Sequence, residues 1–226
     1  MCTNMGGGSG KLSSGIRIEG SAPKGYEKQA NAIIKGTTDV LKFFNLEDEL
    51  KGVVYSESGK YSKSNNAAAG MNGFGELTIT SPYLKDGKTD SKGYFVNDTF
   101  YGTGAHEAGH AVVNGLLKSP HVRINPGDTG KTDARANLER ASARNKGKLE
   151  NAIIKEAKRR YGSNPPISGY GSKNRIEKVA EAVSDVFSNK SNANPYSKVI
   201  VEVMEDIKKG KFTPTIKVSE REMMLR

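Results

Sequence analysis

The chain predicts an α+β fold: one amphipathic helix, a few short strands forming a small antiparallel or mixed sheet, then mostly helices. Two observations carry this. Apolar residues recur at helical spacing from Tyr26 to Phe44 and again in several segments after Asn97. Between them, Gly52-Val53-Val54-Tyr55 and Leu77-Thr78-Ile79-Thr80 are β-branched runs too short for helices. No internal repeat is present.

In chain order, residues 1–22 read as a flexible Gly/Ser-rich arm, because Gly6-Gly7-Gly8-Ser9-Gly10 and Ser13-Ser14-Gly15 are linker chemistry. The domain is expected over 23–209. Its first helix spans about Gly25 to Phe44, with Tyr26, Ala30, Ile33, Thr37, Leu41 and Phe44 at helical spacing. Residues 56–73 are small and polar and read as a loop. Asp86-Gly87 marks a turn, and Gly93-Tyr94-Phe95-Val96 is a weak third strand. Asn97 or Asp98 caps a helix to about Leu117, which Pro120 and Asn125-Pro126-Gly127-Asp128 bring to an end. Asp133 to Tyr161 is helical, with Leu138, Leu149, Ile153 and Ala157 on one side, until Pro165-Pro166. Two more helices cover about Asn174–Ser188 and Tyr196–Lys209. Residues 210–226 form a tail with a possible strand at Phe212–Val218.

The chain has 226 residues and only one Cys, which excludes an intrachain disulfide, a four-Cys zinc site and a thiol redox pair. No apolar run approaches the roughly 18 residues of a membrane span, and the Gly-rich start does not read as a secretory signal. A soluble domain of a reducing compartment is expected, or one exported by a route that the sequence does not display. The net charge is +10. Between Lys118 and Arg160, 12 Lys and Arg face 5 Asp and Glu, so +7 of that charge sits in one segment. Such a stripe can attract nucleic acid, but it holds no aromatic residue for base stacking, and it reads first as a solvated helical face away from the chemistry proposed below.

That chemistry rests on His106-Glu107-Ala108-Gly109-His110, an H-E-x-x-H. On a helix, two imidazoles four residues apart lie on one side and can hold one Zn²⁺, with the intervening Glu beside the metal-bound water. From Thr99 to Leu117, Glu107 is the only charged residue of the Asp, Glu, Lys and Arg set. A helix apolar almost all round is a buried one, and a lone buried carboxylate costs several kcal/mol without a partner. His121, the third His, sits past Pro120 in a polar loop and reads as a surface residue. A third ligand is therefore expected from a later acidic side chain. Glu177, Glu181 and Asp185 form an acidic stripe along one helix.

The run Ser168-Gly169-Tyr170, Glu177, Ala180-Glu181-Ala182, together with His106 to His110, resembles the Glu-ligand zincins (gluzincins) of the anthrax lethal factor type. Similar domains are appended to phage and prophage head proteins and to bacterial toxins. The resemblance covers about a quarter of the chain. It implies a zincin-like fold, with a small mixed sheet packed on a central active-site helix and further helices C-terminal. It also implies that Glu177 is the third zinc ligand, that Glu181 hydrogen-bonds a zinc-bound His, and that Tyr170 stabilises the oxyanion. A second register stays open: Glu181-Ala-Val-Ser184-Asp185 is similar to the thermolysin-type E-x-x-S-D, in which Glu181 is the ligand and Asp185 supports it. Tyr170 is in register only with Glu177.

The expectation is a zinc metalloendopeptidase with Glu107 as general base, acting on a protein or peptide substrate, in the cytoplasm or with a phage particle. Leu77–Thr80 is the expected sheet edge for an extended substrate. The alternative is a non-catalytic zincin-fold module of a phage or toxin-like polypeptide, serving assembly or binding, with nucleic acid a possible partner through residues 118–160.

Overall fold

The computed structural model describes residues 15–57, 69–86, 94–124 and 134–216. The architecture is α+β, with six helices among the described residues and a small mixed sheet. Helix α1 (Glu27–Phe43) buries Ala30, Ile33, Ile34, Thr37, Val40 and Leu41 against α3 (Phe100–Leu117). The two helices approach at glycines. A Cβ on Gly104 would lie 1.9 Å from the Ile33 carbonyl oxygen, and one on Gly36 would lie 2.1 Å from that of Tyr101. Thr37 uses the closeness: its hydroxyl shares one proton between the Ile33 and Gly104 carbonyls, at 3.1 and 3.0 Å.

The sheet has the order β1-β2-β4-β3. β1 (Arg17–Glu19), β2 (Gly52–Ser56) and β4 (Glu76–Thr80) are parallel, and β3 (Ala69–Met71) runs antiparallel to β4. Val53, Leu77 and Ile79 are fully buried beneath it. This topology corrects three expectations. Leu77–Thr80 is an interior strand, paired on both sides, so it is not a sheet edge; β1 and β3 are, and β3 is the edge next to it. The expected loop over 56–73 contains that edge strand. The expected arm over 1–22 contains β1, which pairs Ile18 with Val53 although its own residues are exposed; residues 1–14 lie outside the described residues.

Short α2 (Ser81–Asp86), an element not expected, follows β4 directly and ends at Asp86, where the expected turn begins; Gly87 and Gly93 lie outside the described residues. Tyr94–Val96 forms a turn and not a strand. Helix α3 is capped by Thr99, whose hydroxyl accepts from the Gly102 N–H at 2.9 Å. It is buried nearly all round, as its composition requires. Helix α4 (Ala134–Tyr161) turns Leu149, Ile153 and Ala157 into the core; the side chain of Leu138 lies outside those described. Helices α5 (Arg175–Asn189) and α6 (Pro195–Lys208) are capped by Asn174 and Asn194. β5 (Arg123–Ile124), where no strand was expected, pairs in parallel with β6 (Thr215–Ile216), which lies within the segment expected to carry one. No helix among the described residues is long and apolar enough to cross a membrane.

Candidate metal centre

The centre lies in the seam between α3 and α5. Gly109 lets the helices close: a Cβ there would sit 2.9 Å from Cα of Ala180. Ser184 ties the seam further by donating to the Gly102 carbonyl at 2.8 Å. One turn of α3 separates His106 from His110, and their rings meet edge to face at 5.1 Å between centroids. Across the seam, one turn of α5 separates Glu177 from Glu181.

The two glutamates take opposite nitrogens of His106. Glu181 Oε1 lies 2.9 Å from Nδ1, and Glu177 Oε2 lies 3.2 Å from Nε2. Glu177 Oε2 is also 3.8 Å from Nε2 of His110. His106, His110 and Glu177 thus offer two ring nitrogens and one carboxylate oxygen, all within 4.8 Å of one another. Zinc with ligand bonds near 2.0–2.1 Å in a tetrahedron sets neighbouring ligand atoms about 3.3 Å apart, so this donor set fits the ion. The hydrogen bond to Glu181 keeps a proton on Nδ1 of His106, and Nε2 faces Glu177, the side on which a cation would replace the second proton.

The electrostatics ask for a cation. Burial opposes charge on His106, but the hydrogen bonds to Glu177 and Glu181 outweigh it and raise its pKa to about 10. Burial, reinforced by the charges of His106 and Lys146, holds His110 well below its ordinary value, which keeps a free lone pair for a metal. Burial also raises Glu107, against the charge of His106 and a hydrogen bond from the Met71 N–H. That bond, 2.8 Å to Glu107 Oε2, joins the sheet to the centre. The Asn72 N–H donates to the Glu76 carbonyl at 3.1 Å. Alternation along an antiparallel pair then turns the N–H and C=O of Met71 away from β4.

Tyr170 stands beside the cluster, its ring centroid 5.7 Å from that of His106. Burial first, then the charge of Glu177 and a hydrogen bond to it, raise the pKa of its hydroxyl. Its N–H donates to the Tyr94 carbonyl at 2.7 Å. Phe95 packs against its ring at 4.8 Å, and the Lys173 ammonium lies 5.0 Å over its face.

Asp185 is not drawn in. Its carboxylate accepts from the Asn189 side chain at 2.7 Å and from the Asn194 N–H at 2.9 Å, linking α5 to α6. It lies two turns beyond Glu177, about 12 Å along the helix. His121 also stays out, its ring set against Gly210. The basic segment behaves differently from expectation, because α4 packs against both α3 and α5. Lys146, its pKa lowered by burial, interacts electrostatically with Glu150, Glu107 and Glu177. Part of the charge assigned to a remote face therefore belongs to the centre.

Several contributing groups were not visible beforehand. The Met71 and Val96 N–H groups are backbone and carry no residue signature. Ser168 stood inside the quoted Tyr170 run but had no assigned role. Lys146 and Glu150, four apart on α4, carry the one sequence signal, an opposite-charge pair one helical turn apart that a solvent-exposed face would also show.

Comparison of the chain with protein-family models, with curated proteins and with solved structures gave no match.

Proposed function

We propose that this chain is a zinc metallopeptidase of the Glu-ligand zincin type, with a zincin-like fold. The observation that carries the reading is the convergence of His106, His110 and Glu177 with Glu107 on the same helix and Glu181 on the far nitrogen of His106. His106, His110 and Glu177 would hold the ion. When bound, zinc supplies a Lewis acid that polarises a carbonyl and brings the pKa of water toward about 7.

The chain's own residues divide the remaining work. Glu107 takes a proton at its carboxylate and passes it to the leaving amine. Its hydrogen bond from Met71 keeps one oxygen occupied, so the other is the one that moves the proton. Tyr170 donates to the developing oxyanion; comparable donors are worth about 3–4 kcal/mol. Glu181 fixes the His106 tautomer. β3, the edge strand, is the surface on which an extended peptide would lie, because the Met71 carbonyl turned away from β4 is open to pairing beside Glu107, while the Met71 N–H is kept by Glu107 itself. This favours Glu177 over Glu181 as third ligand, since Glu181 faces the nitrogen turned away from His110.

Nucleic-acid binding through α4 is a weaker reading. Arg159 pairs with Glu156, and Arg160 with Glu156 and Asp206, while Lys146 turns inward, so part of the helix's charge is committed within the fold.

Zinc quantification and peptide cleavage test the proposal on the parent, Glu107→Gln and Glu177→Ala. The parent should hold about one zinc per chain. Glu107→Gln should keep that zinc and lose cleavage by about 10²–10⁴-fold. Glu177→Ala should lose the zinc. Cleavage by Glu107→Gln at the parent's rate overturns the mechanism. A zinc-loaded parent inert toward diverse peptides points to the non-catalytic module instead.

A further inference from the structure

The turn that carries Tyr170 is wired to the far side of His106 through one hydroxyl. Ser168 Oγ donates to Glu181 Oε2 at 2.6 Å and accepts from the Gly171 N–H at 2.8 Å. A hydroxyl has a single proton to give. With Glu181 receiving it, the chain of bonds has a fixed direction: Gly171 N–H to Ser168, Ser168 O–H to Glu181. The same carboxylate oxygen accepts the Val96 N–H at 2.8 Å, and its other oxygen faces His106 Nδ1 at 2.9 Å. Glu181 is 1% exposed, so these groups and not solvent decide how its carboxylate is turned. The turn leaves little room for anything larger at its tip. A Cβ on Gly171 would lie 3.1 Å from Ser168 Oγ and 3.4 Å from Glu181 Cβ.

We propose that Ser168 is a positioning residue that couples the seating of the Tyr170 turn to the aim of the His106 imidazole, acting through Glu181. The geometric reason is that the two oxygens of Glu181 are shared between the elements. Oε2 is held by the turn and by Val96, and Oε1 holds the imidazole. A carboxylate that loses its Ser168 donor keeps only the Val96 N–H on Oε2, and rotation about that single remaining bond takes Oε1 off the Nδ1 proton. Residues 94–96 close the same circuit from the other side, because the Tyr94 carbonyl accepts the Tyr170 N–H while Val96 donates to Glu181. The oxyanion donor and a metal ligand are thereby assembled together. This catalytic consequence rests on the metallopeptidase reading; the hydrogen-bond relay does not.

The test compares Ser168→Ala, Ser168→Thr and Ser172→Ala. Ser172 is a control from the same turn: its hydroxyl donates to the Ser168 carbonyl at 2.8 Å, a bond outside the relay. Zinc affinity is measured by chelator competition, and the His106 Nδ1–H proton is followed by NMR in the metal-free protein. Ser168→Ala should bind zinc at least about 10-fold more weakly, as loss of outer support for a ligand typically does, and its Nδ1–H signal should broaden into exchange with water. Ser168→Thr should restore both, and Ser172→Ala should change neither. Parent-like affinity and an unchanged Nδ1–H signal in Ser168→Ala overturn the proposal. So does an equal loss in Ser172→Ala, which would mean that the turn has merely loosened. If the parent binds no zinc, the metallopeptidase reading falls, and the Nδ1–H signal alone decides the relay.

Discussion

Glu181 on α5 and Glu150 on α4 are equally hidden, at 1% and 0% exposure, and they live under opposite conditions. Three donors converge on Glu181, from Ser168, Val96 and His106. Among the described residues, neither oxygen of Glu150 has a hydrogen-bond partner. Its compensation comes at longer range from Lys146, one turn earlier on the same helix. Burial consequently pushes the Glu150 carboxyl up to about 7, with Lys146 pulling the other way and Glu177 adding to the rise. The contrast teaches that burial alone does not mark a working carboxylate. Converging donors orient one and make it useful; without them the group is a stored cost.

The comparison breaks most visibly at Glu181. Glu181→Leu strands three buried or half-buried donors at about 1–3 kcal/mol each. The metal-free protein should lose about 3–6 kcal/mol in urea denaturation, and Glu181→Gln, which keeps an acceptor, should lose clearly less. A Leu variant as stable as the parent would erase the distinction between the two sites.

Glu150→Gln should act in the other direction and depend on pH. The unfolded carboxyl releases its proton near 4.5 and the folded one near 7, so the unfolded chain holds fewer protons across that window. Stability attributable to this group therefore falls as pH rises from about 4.5 through 7. Glu150→Gln should remove that slope and gain about 2 kcal/mol over the parent between pH 5 and pH 8. Denaturation midpoints at the two pH values measure it; a variant less stable than the parent at pH 8 contradicts the assignment.

The smallest effect sharpens the packing side of the same contrast. Gly109 in the α3–α5 seam is hemmed in by Ala180, whereas a Cβ on Gly147 of α4 meets nothing within 4 Å among the described residues. Gly147→Ala should stabilise by about 0.5–1 kcal/mol, through helix propensity and a less flexible unfolded chain. A thermal melt showing destabilisation would mean that α4 is not helical at that point.

Much of the fold was legible for identifiable reasons. α1, α3, α5 and α6 begin and end within a few residues of expectation, because caps such as Asn174 and Asn194 sit directly before periodic apolar runs. β2 and β4 were visible through Val53, Val54, Leu77 and Ile79. β1 and β3 were not. Arg17-Ile18-Glu19 is exposed throughout and is a strand only because β2 offers it a partner. Ala69-Gly70-Met71 has no β-branched residue, and its pairing is set by β4. α2 is six residues long, too short to show a period.

In the candidate site, local spacing was sufficient for His106, Glu107 and His110, since two residues four apart on any helix share a side. The acidic stripe left Glu177, Glu181 and Asp185 equivalent, because a helix repeats its geometry along its length. Only the crossing of α5 over α3, admitted by Gly109 and Ala180, brings Glu177 to the shared nitrogens and Glu181 to the far side of His106, and leaves Asp185 for α6. The edge strand beside Glu107, the hydroxyl behind Glu181 and the lysine turned inward from a basic helix were likewise tertiary decisions. Each depends on which surface of one element meets another. Composition and period determine that an element forms and which face is apolar; they do not determine what stands opposite it.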